Sequence, residues 1–117
     1  MKVHPLRERD ADEPVYTIGV VARLTGLSPR QLRWLDVLGI VVPARTEGGR
    51  RMYSERWLQR ARVAAWLMRE RHVGLPGIRE ILRLCEKLGY EVVIDALEIP
   101  KPLERKDNAD ESEFGGT

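Results

Sequence analysis

The chain of 117 residues is poor in the residue types on which many metal, redox and secreted proteins depend. It contains one cysteine, Cys85, and two histidines, His4 and His72, so a disulfide framework or a thiolate zinc site within one chain is excluded. It has no long apolar run, and no apolar segment typical of a secretion signal near its first residue. We therefore expect a cytoplasmic protein with no membrane span, no bound metal and no cofactor.

The patterns of a catalytic site are also missing. The acidic residues between positions 36 and 70 are scattered among arginines, and His72 has no partner at a catalytic spacing. The pair Gly48-Gly49 is not followed by the helix and lysine of a nucleotide-binding loop. The sequence therefore predicts a protein that is not an enzyme.

What the chain does have is arginine, concentrated in one region. The net charge is +2, but residues 16–76 hold eleven arginines and four acidic residues, a net charge of +7. Residues 1–15 carry a net charge of −1 and residues 77–117 one of −4. The planar guanidinium donates paired hydrogen bonds that fit phosphate and guanine, so this region predicts nucleic-acid binding. A general compositional preference for arginine is the alternative.

Two short helices are predicted within that region. Thr17 is a suitable N-cap for a helix ending near Thr25, and Gly26 allows the left-handed turn that ends it. Ser28-Pro29 then supplies a cap and a first-turn proline for a second helix, which Gly39 closes.

A hairpin and further helices follow. Residues 41–53 read as two strands around a Gly48-Gly49 turn, and Ser54 caps a third helix of about 17 residues. A fourth helix is expected from Leu75 to Leu88, before Gly89. This layout is mainly α and is that of a winged helix-turn-helix with a small β-hairpin wing and two further helices.

Apolar periodicity predicts the core. The expected buried faces are Ile18, Val21, Ala22 and Leu24 in the first helix, Leu32, Leu35 and Leu38 in the second, Trp57, Leu58, Ala61, Ala64, Ala65 and Met68 in the third, and Ile78, Ile81, Leu82, Cys85 and Leu88 in the fourth. Cys85 is thus interpreted as a core residue and not as a redox sensor.

The second helix carries the main candidate DNA contacts. A helix of this kind fits the major groove, where its outer side chains reach bases and phosphates. We expect Arg30 to contact a base and Gln31 to contact an adenine or a phosphate. Arg33 and Trp34 are expected at phosphate and sugar, with packing of Trp34 against the third helix as the alternative.

The hairpin supplies a second set of contacts. Arg45, Arg50, Arg51 and the backbone N–H groups at Gly48-Gly49 are expected to bind phosphates beside the minor groove. Tyr53 is expected either to donate its hydroxyl to a phosphate or to belong to the core. Because one such domain contacts few base pairs, we expect two copies on a pseudo-palindromic, double-stranded operator.

The ends of the chain differ from this module. Residues 1–14 are expected to be a flexible arm, 15–89 the DNA-binding domain, 90–102 a short segment of possible dimerisation, and 103–117 an acidic disordered tail. Within 90–102 a short apolar run forms a strand or a few helical turns. Candidate dimer contacts are the N-terminal arm or Val92, Val93, Ile94 and Leu97.

These motifs resemble the MerR family of bacterial transcription regulators over roughly residues 15–89. The matching segments are Tyr16-Thr17-Ile18-Gly19, Ser28-Pro29-Arg30-Gln31-Leu32-Arg33, Trp34-Leu35-Asp36, Leu38-Gly39, Arg45, residues 48–54 and residues 74–82. The resemblance implies DNA contacts by Thr17, Arg30, Arg33, Trp34, Arg45, Gly49, Arg50, Arg51 and Tyr53, and Ser28 and Gln31 are counted with them at the start of the recognition helix. Trp34 and Leu35 replace two tyrosines of the family pattern, so at least one hydroxyl–phosphate bond is expected to be missing.

The resemblance is strongest to short members of the family. We expect no long coiled-coil helix after Gly89 of the kind found in effector-sensing members. The chain is similar to HspR-type heat-shock repressors and GlnR/TnrA-type nitrogen regulators. This implies a homodimeric, nucleoid-associated repressor controlled by a protein partner, a chaperone or glutamine synthetase, and not by a small-molecule pocket. Alternatives are an excisionase-like or DNA-coating architectural protein, and a protein-interaction adaptor acting through its C-terminal tail.

Overall fold

The computed structural model describes residues 11–101 as a mainly helical domain with a small antiparallel sheet, which confirms the predicted fold class. The elements in chain order are β1 Tyr16–Thr17, α1 Ile18–Thr25, α2 Pro29–Val37, β2 Ala44–Arg45, β3 Arg51–Tyr53, α3 Glu55–Glu70, α4 Leu75–Leu88 and α5 Tyr90–Leu97. The predictions for most of the N-terminal arm and for the acidic tail 103–117 lie outside the described residues.

Three helices begin at the capping residues that the sequence predicts. The hydroxyls of Thr17, Ser28 and Ser54 each accept a hydrogen bond from the backbone N–H three residues later, at 3.3, 3.0 and 3.2 Å. At the start of α2 the arrangement is reciprocal, because the Gln31 side-chain oxygen accepts from the Ser28 N–H at 2.9 Å. Such caps satisfy N–H groups that a helix leaves unpaired in its first turn.

The sheet has the strand order β1-β3-β2, with β3 in the centre. Tyr16 lies opposite Tyr53, and Arg45 lies opposite Arg51. The predicted hairpin is present but shorter than residues 41–53, because Val41 is buried in the loop before β2 and pairs with neither strand. β1 was not predicted. Gly49 has φ +86° in the turn between β2 and β3, a conformation that favours glycine.

The core forms where α1, α2, α3 and α4 meet and contains most of the predicted residues. Cys85 is buried as expected, and this burial raises the pKa of its thiol. Leu88 was predicted to be buried, and this is wrong: it is the last residue of α4, directly before the turn at Gly89, and it is 57% exposed. Seven other predicted core residues are only partly buried and pack against the core: Ile18, Ala22, Leu24, Leu38, Trp57, Met68 and Ile81.

The short apolar run after Gly89 is helical, and α5 packs against α4. Val93 is buried, and Ile94 and Leu97 pack partly against the core of the same chain. Of the four candidate dimer residues in this segment, Val92 is the one with an exposed side chain, at 56%. The other three are therefore largely used within the chain.

Three arginines link the helices through hydrogen bonds: Arg60 and Arg69 in α3, and Arg71 directly after it. Arg60 donates to the Ile40 carbonyl at 3.0 Å and pairs with Glu86 at 2.8 Å. Arg69 donates to the carbonyl of Thr25, and Arg71 does so to that of Leu97, at 3.0 and 2.9 Å. Three of the eleven arginines of residues 16–76 thus bind carbonyl groups of the same chain, and Arg60 among them is mostly removed from solvent.

Candidate nucleic-acid interface

The outward face of α2 is built by one helical repeat. Arg30, Arg33, Trp34 and Val37 are spaced i, i+3, i+4 and i+7, so their side chains project from the same face of the helix. All four are exposed, with Trp34 at 46% and Val37 at 79%. Trp34 therefore lies on the outer face of α2 and is not part of the core. The alternative interpretation, in which Trp34 packs against the third helix, is not what the structure shows.

Three arginines of the module have free guanidinium groups. Within residues 11–101, no side chain or carbonyl accepts a hydrogen bond from the side chains of Arg30, Arg33 or Arg50. Each retains all five N–H donors for an external acceptor. Arg30 and Arg33 lie in α2 and Arg50 lies directly before β3, in the two parts of the fold that the sequence assigns to DNA.

Ser28 and Gln31 have structural roles at the start of α2. The Ser28 hydroxyl and the side-chain oxygen of Gln31, Oε1, are the two acceptors of the reciprocal cap described above. The side-chain amide of Gln31 keeps its N–H donors, and the residue is exposed. The cap fixes the first turn of the helix, where Arg30 lies.

The wing is joined to α2 through one carboxylate. Asp36 Oδ2 accepts hydrogen bonds from Arg51 Nε at 2.8 Å and from Arg45 Nη2 at 3.1 Å. Arg45 Nη1 also donates to the Gly49 carbonyl at 3.3 Å, across the wing turn. The Arg51 side chain is only 19% exposed, whereas that of Arg45 is 49% exposed and can reach outward. The sequence did not mark Asp36 as a site residue, although it lies among arginines.

Tyr53 is fully buried, which is the second of the two predicted alternatives. Its hydroxyl has no hydrogen-bond partner in the described residues, and burial raises the pKa of this phenol. A phosphate could contact the hydroxyl only after neighbouring side chains moved. Thr17 and Gly49 were predicted to contact DNA. In the structure Thr17 is the N-cap of α1, and Gly49 adopts the left-handed conformation of the wing turn.

Features of other protein classes are not found in this part of the molecule. Residues 11–101 contain no group of three or more His, Cys, Asp or Glu side chains placed to hold a metal ion. In the same range no helix has the length and apolar character needed to cross a bilayer.

A capped second helix with an exposed arginine face, followed by an arginine-bearing wing, defines the class of winged helix-turn-helix DNA-binding proteins. Residues 16–85 match the family described as MerR HTH family regulatory protein. The chain belongs to this MerR family, whose members are DNA-binding transcription regulators.

Curated relatives extend this result. The chain is 43% identical over 77 residues to a putative heat shock protein HspR of Streptomyces coelicolor, covering 66% of this chain and 51% of that protein. It is 30% identical over 113 residues to the HTH-type transcriptional regulator GlnR of Bacillus anthracis, covering 95% of this chain and 87% of that protein. It is 44% identical over 43 residues to TnrA of Bacillus subtilis, covering 37% and 39%. The chain thus spans about half the length of the HspR relative and most of the length of GlnR.

Proposed function

We propose that this protein is a sequence-specific transcriptional repressor that binds a pseudo-palindromic operator as a homodimer. The observation that carries the proposal is the exposed face of α2, where Arg30 and Arg33 have no acceptor within the described residues. The family match and the similarity to the transcriptional regulator GlnR support a regulatory role. We expect the protein to act in the bacterial cytoplasm, at the nucleoid.

The four side chains of the α2 face divide the recognition between them. Arg30 lies in the first turn, where a recognition helix contacts base edges, and its fork suits guanine. Arg33 and Trp34 lie one turn further along and contact phosphate and sugar. Val37 is apolar and almost fully exposed, so it suits the methyl group of a thymine.

The wing acts beside the helix. Arg50 is free and Arg45 keeps outward donors, so these two residues bind phosphates flanking the groove that α2 enters. Arg51 acts through Asp36 and keeps the wing in place. Within the wing turn the Gly49 N–H donates to the Thr46 carbonyl at 2.9 Å and the Arg50 N–H to the Thr46 hydroxyl at 3.1 Å, so both are used inside the turn. The Gly48 N–H and the capping residue Thr17 complete the proposed phosphate contacts.

Dimerisation follows from the small size of this surface. One recognition helix and one wing contact too few base pairs for useful specificity, and a two-fold dimer doubles the site. We also propose control of the dimer by a protein partner, such as a chaperone or glutamine synthetase. The proposal rests on the resemblance to the HspR-type and GlnR/TnrA-type branches, and the similarity to HspR and GlnR supports that resemblance.

Selection from a random pool of double-stranded DNA, followed by anisotropy titrations over a range of salt concentrations, tests the proposal. We expect a two-fold symmetric consensus, a steep decrease in affinity with salt, and a loss of about 10- to 100-fold for Arg30→Ala. The control is Arg83→Ala, which removes an exposed arginine of α4 that is paired only weakly with Glu80, at 3.4 Å.

Two results would count against the proposal. Equal losses for the two variants would mean that the effect is one of total charge and not of recognition by α2. An asymmetric consensus with a tandem footprint would replace the dimeric repressor by a DNA-coating protein.

A further inference from the structure

A cavity of about 470 Å³ lies between α1, α3 and the segment from α5 to Lys101. This volume is in the range of small-molecule sites. None of its lining residues belongs to α2 or to the wing, so it is separate from the proposed DNA surface. The lining combines apolar side chains such as Leu24, Trp66 and Ile94 with the cations Arg62, Arg69 and Lys101.

Arg62, which lines the cavity, has an unpaired hydrogen-bond donor. Its Nε is buried, and no group in residues 11–101 accepts the hydrogen of this atom. Burial lowers the pKa of the guanidinium, and the nearby charge of Glu55 acts in the opposite direction. The two Nη groups of Arg62 are not among the buried atoms, and no group in residues 11–101 accepts a hydrogen bond from them either. They are therefore the donors that an acceptor entering the cavity can reach, beside a guanidinium whose inner edge is already desolvated.

The other charged groups around the cavity already have partners or face solvent. Glu55 accepts a hydrogen bond from the Tyr16 hydroxyl at 2.7 Å, and Glu91 is exposed. Arg69 donates one N–H to the Thr25 carbonyl and keeps others available. The cavity therefore has cationic donors beside apolar surface, and the acceptor it lacks is an anion.

We propose that this cavity binds a small organic anion, with a carboxylate or sulfonate on Arg62 and Arg69 and an apolar body against Leu24, Trp66 and Ile94. Arginine suits such a head group because two parallel N–H donors match its oxygens. The sequence predicts control by a protein partner and not by a small-molecule pocket; the cavity depends on the placement of α5 beside α3, which the sequence does not reveal.

The cavity also touches the connection that leads to the recognition helix. Thr25 lines it, and the Thr25 hydroxyl donates to the Val21 carbonyl at 2.8 Å and accepts from the Leu27 N–H at 3.2 Å. Ser28, the cap of α2, follows directly. A bound anion that competes for Arg69 would loosen the hold on the Thr25 carbonyl, and we expect it to change DNA affinity. This consequence rests on the proposed function, whereas binding itself does not.

Naphthalene-2-acetate and its neutral amide, naphthalene-2-acetamide, are matched probes for this site. Titrations of the full chain without DNA, followed by ¹H–¹⁵N spectra, report both affinity and location. We expect the acetate to shift the Trp66 indole N–H and the Thr25 amide, and to bind about tenfold more tightly than the amide. Arg62→Gln should abolish this preference, while Arg83→Gln, on an exposed arginine outside the cavity, should retain it.

Each other outcome overturns the proposal. Equal affinity for the two probes would show that the cavity does not recognise an anion. Shifts confined to α2 would place the anion on the DNA surface, and spectral changes that depend only on protein concentration would show that a second copy covers the cavity. A final titration of selected DNA with and without the acetate tests the coupling, and its failure alone leaves the binding site intact.

Discussion

Asp36 and Arg51 form an ion pair that joins the recognition helix to the central strand of the sheet, with Oδ2 and Nε 2.8 Å apart. Both side chains are mostly removed from solvent, at 11% and 19% exposure, so screening by water is limited. The pair fixes the angle between α2 and the wing from inside the molecule. An arginine that the sequence assigns to DNA is thereby given a positioning role.

Asp36→Asn should lower the free energy of unfolding by about 1–2 kcal/mol, because Arg51 would lose its charged acceptor. Denaturant titration at neutral pH measures the change. The control Asp95→Asn, which affects an exposed pair with Lys101 at 3.4 Å, should change stability by less than about 0.5 kcal/mol. Equal changes in the free energy of unfolding for the two substitutions would show that the Asp36 pair contributes no more to stability than an exposed pair does.

Two glycine substitutions should have opposite signs. Gly26 has φ +81°, and an added Cβ would lie 3.0 Å from Arg69 Nη1, so Gly26→Ala should be destabilising by about 1 kcal/mol or more. Gly19 lies inside α1 with no heavy atom within 4 Å of an added Cβ, so Gly19→Ala should be stabilising by about 0.5 kcal/mol. Thermal unfolding of both variants checks the signs. A stable Gly26→Ala protein would contradict the left-handed end of α1.

Tyr53→Phe removes a buried hydroxyl that has no partner in the described residues. We expect the free energy of unfolding to rise by up to about 1 kcal/mol, since the desolvation of that group is avoided, and DNA affinity to stay unchanged. Denaturant and anisotropy titrations on the same preparation separate the two effects. A loss of DNA affinity at unchanged stability would instead favour the alternative in which Tyr53 contacts a phosphate.

Glu86 gives an acid-dependent contribution to stability. Its partial burial raises its pKa, but hydrogen bonds from Tyr90 and Arg60 and the Arg60 charge outweigh this, so the pKa is lowered. A lowered folded-state pKa contributes stability above the unfolded value near 4.3, which is lost as the pH falls through the folded value. Glu86→Gln should therefore be destabilising at neutral pH, by at most about 1 kcal/mol for this half-exposed pair, and neutral in acid.

Unfolding titrations of Glu86→Gln and of Glu80→Gln, from neutral pH downward, test this pH dependence. Glu80 forms an exposed pair with Arg83 at 3.4 Å and should show almost no difference from the unmodified chain at any pH. A Glu86→Gln difference that persists in acid would assign its effect to packing and not to charge.

Local features of the chain could be predicted from the sequence because their causes are local. The caps at Ser28 and Ser54 and the wing turn at Gly49 depend on residues within four positions of each other. The exposed face of α2 follows from helical periodicity alone.

The remaining features depend on residues that are distant in the sequence. β1 consists of two residues and is a strand only because β3 pairs with it, Tyr16 opposite Tyr53 and Thr17 opposite Met52. The inward direction of Arg60 and Arg69 requires knowing which carbonyls α3 faces. The cavity beside Arg62 requires the position of α5. No local pattern encodes any of these.

The central position of β3 has a consequence for the DNA sites this protein can use. β3 pairs with the wing strand β2 on one side and, on the other, with β1, which runs directly into the cap of α1. The wing is thus hydrogen-bonded to the strand that precedes α1, so in the proposed complex the sheet sets the distance between the groove contact of α2 and the flanking phosphate contact of the wing. An inserted base pair inside a half-site of the proposed operator should therefore abolish binding, whereas the spacing between half-sites depends on how the two copies of the proposed dimer associate.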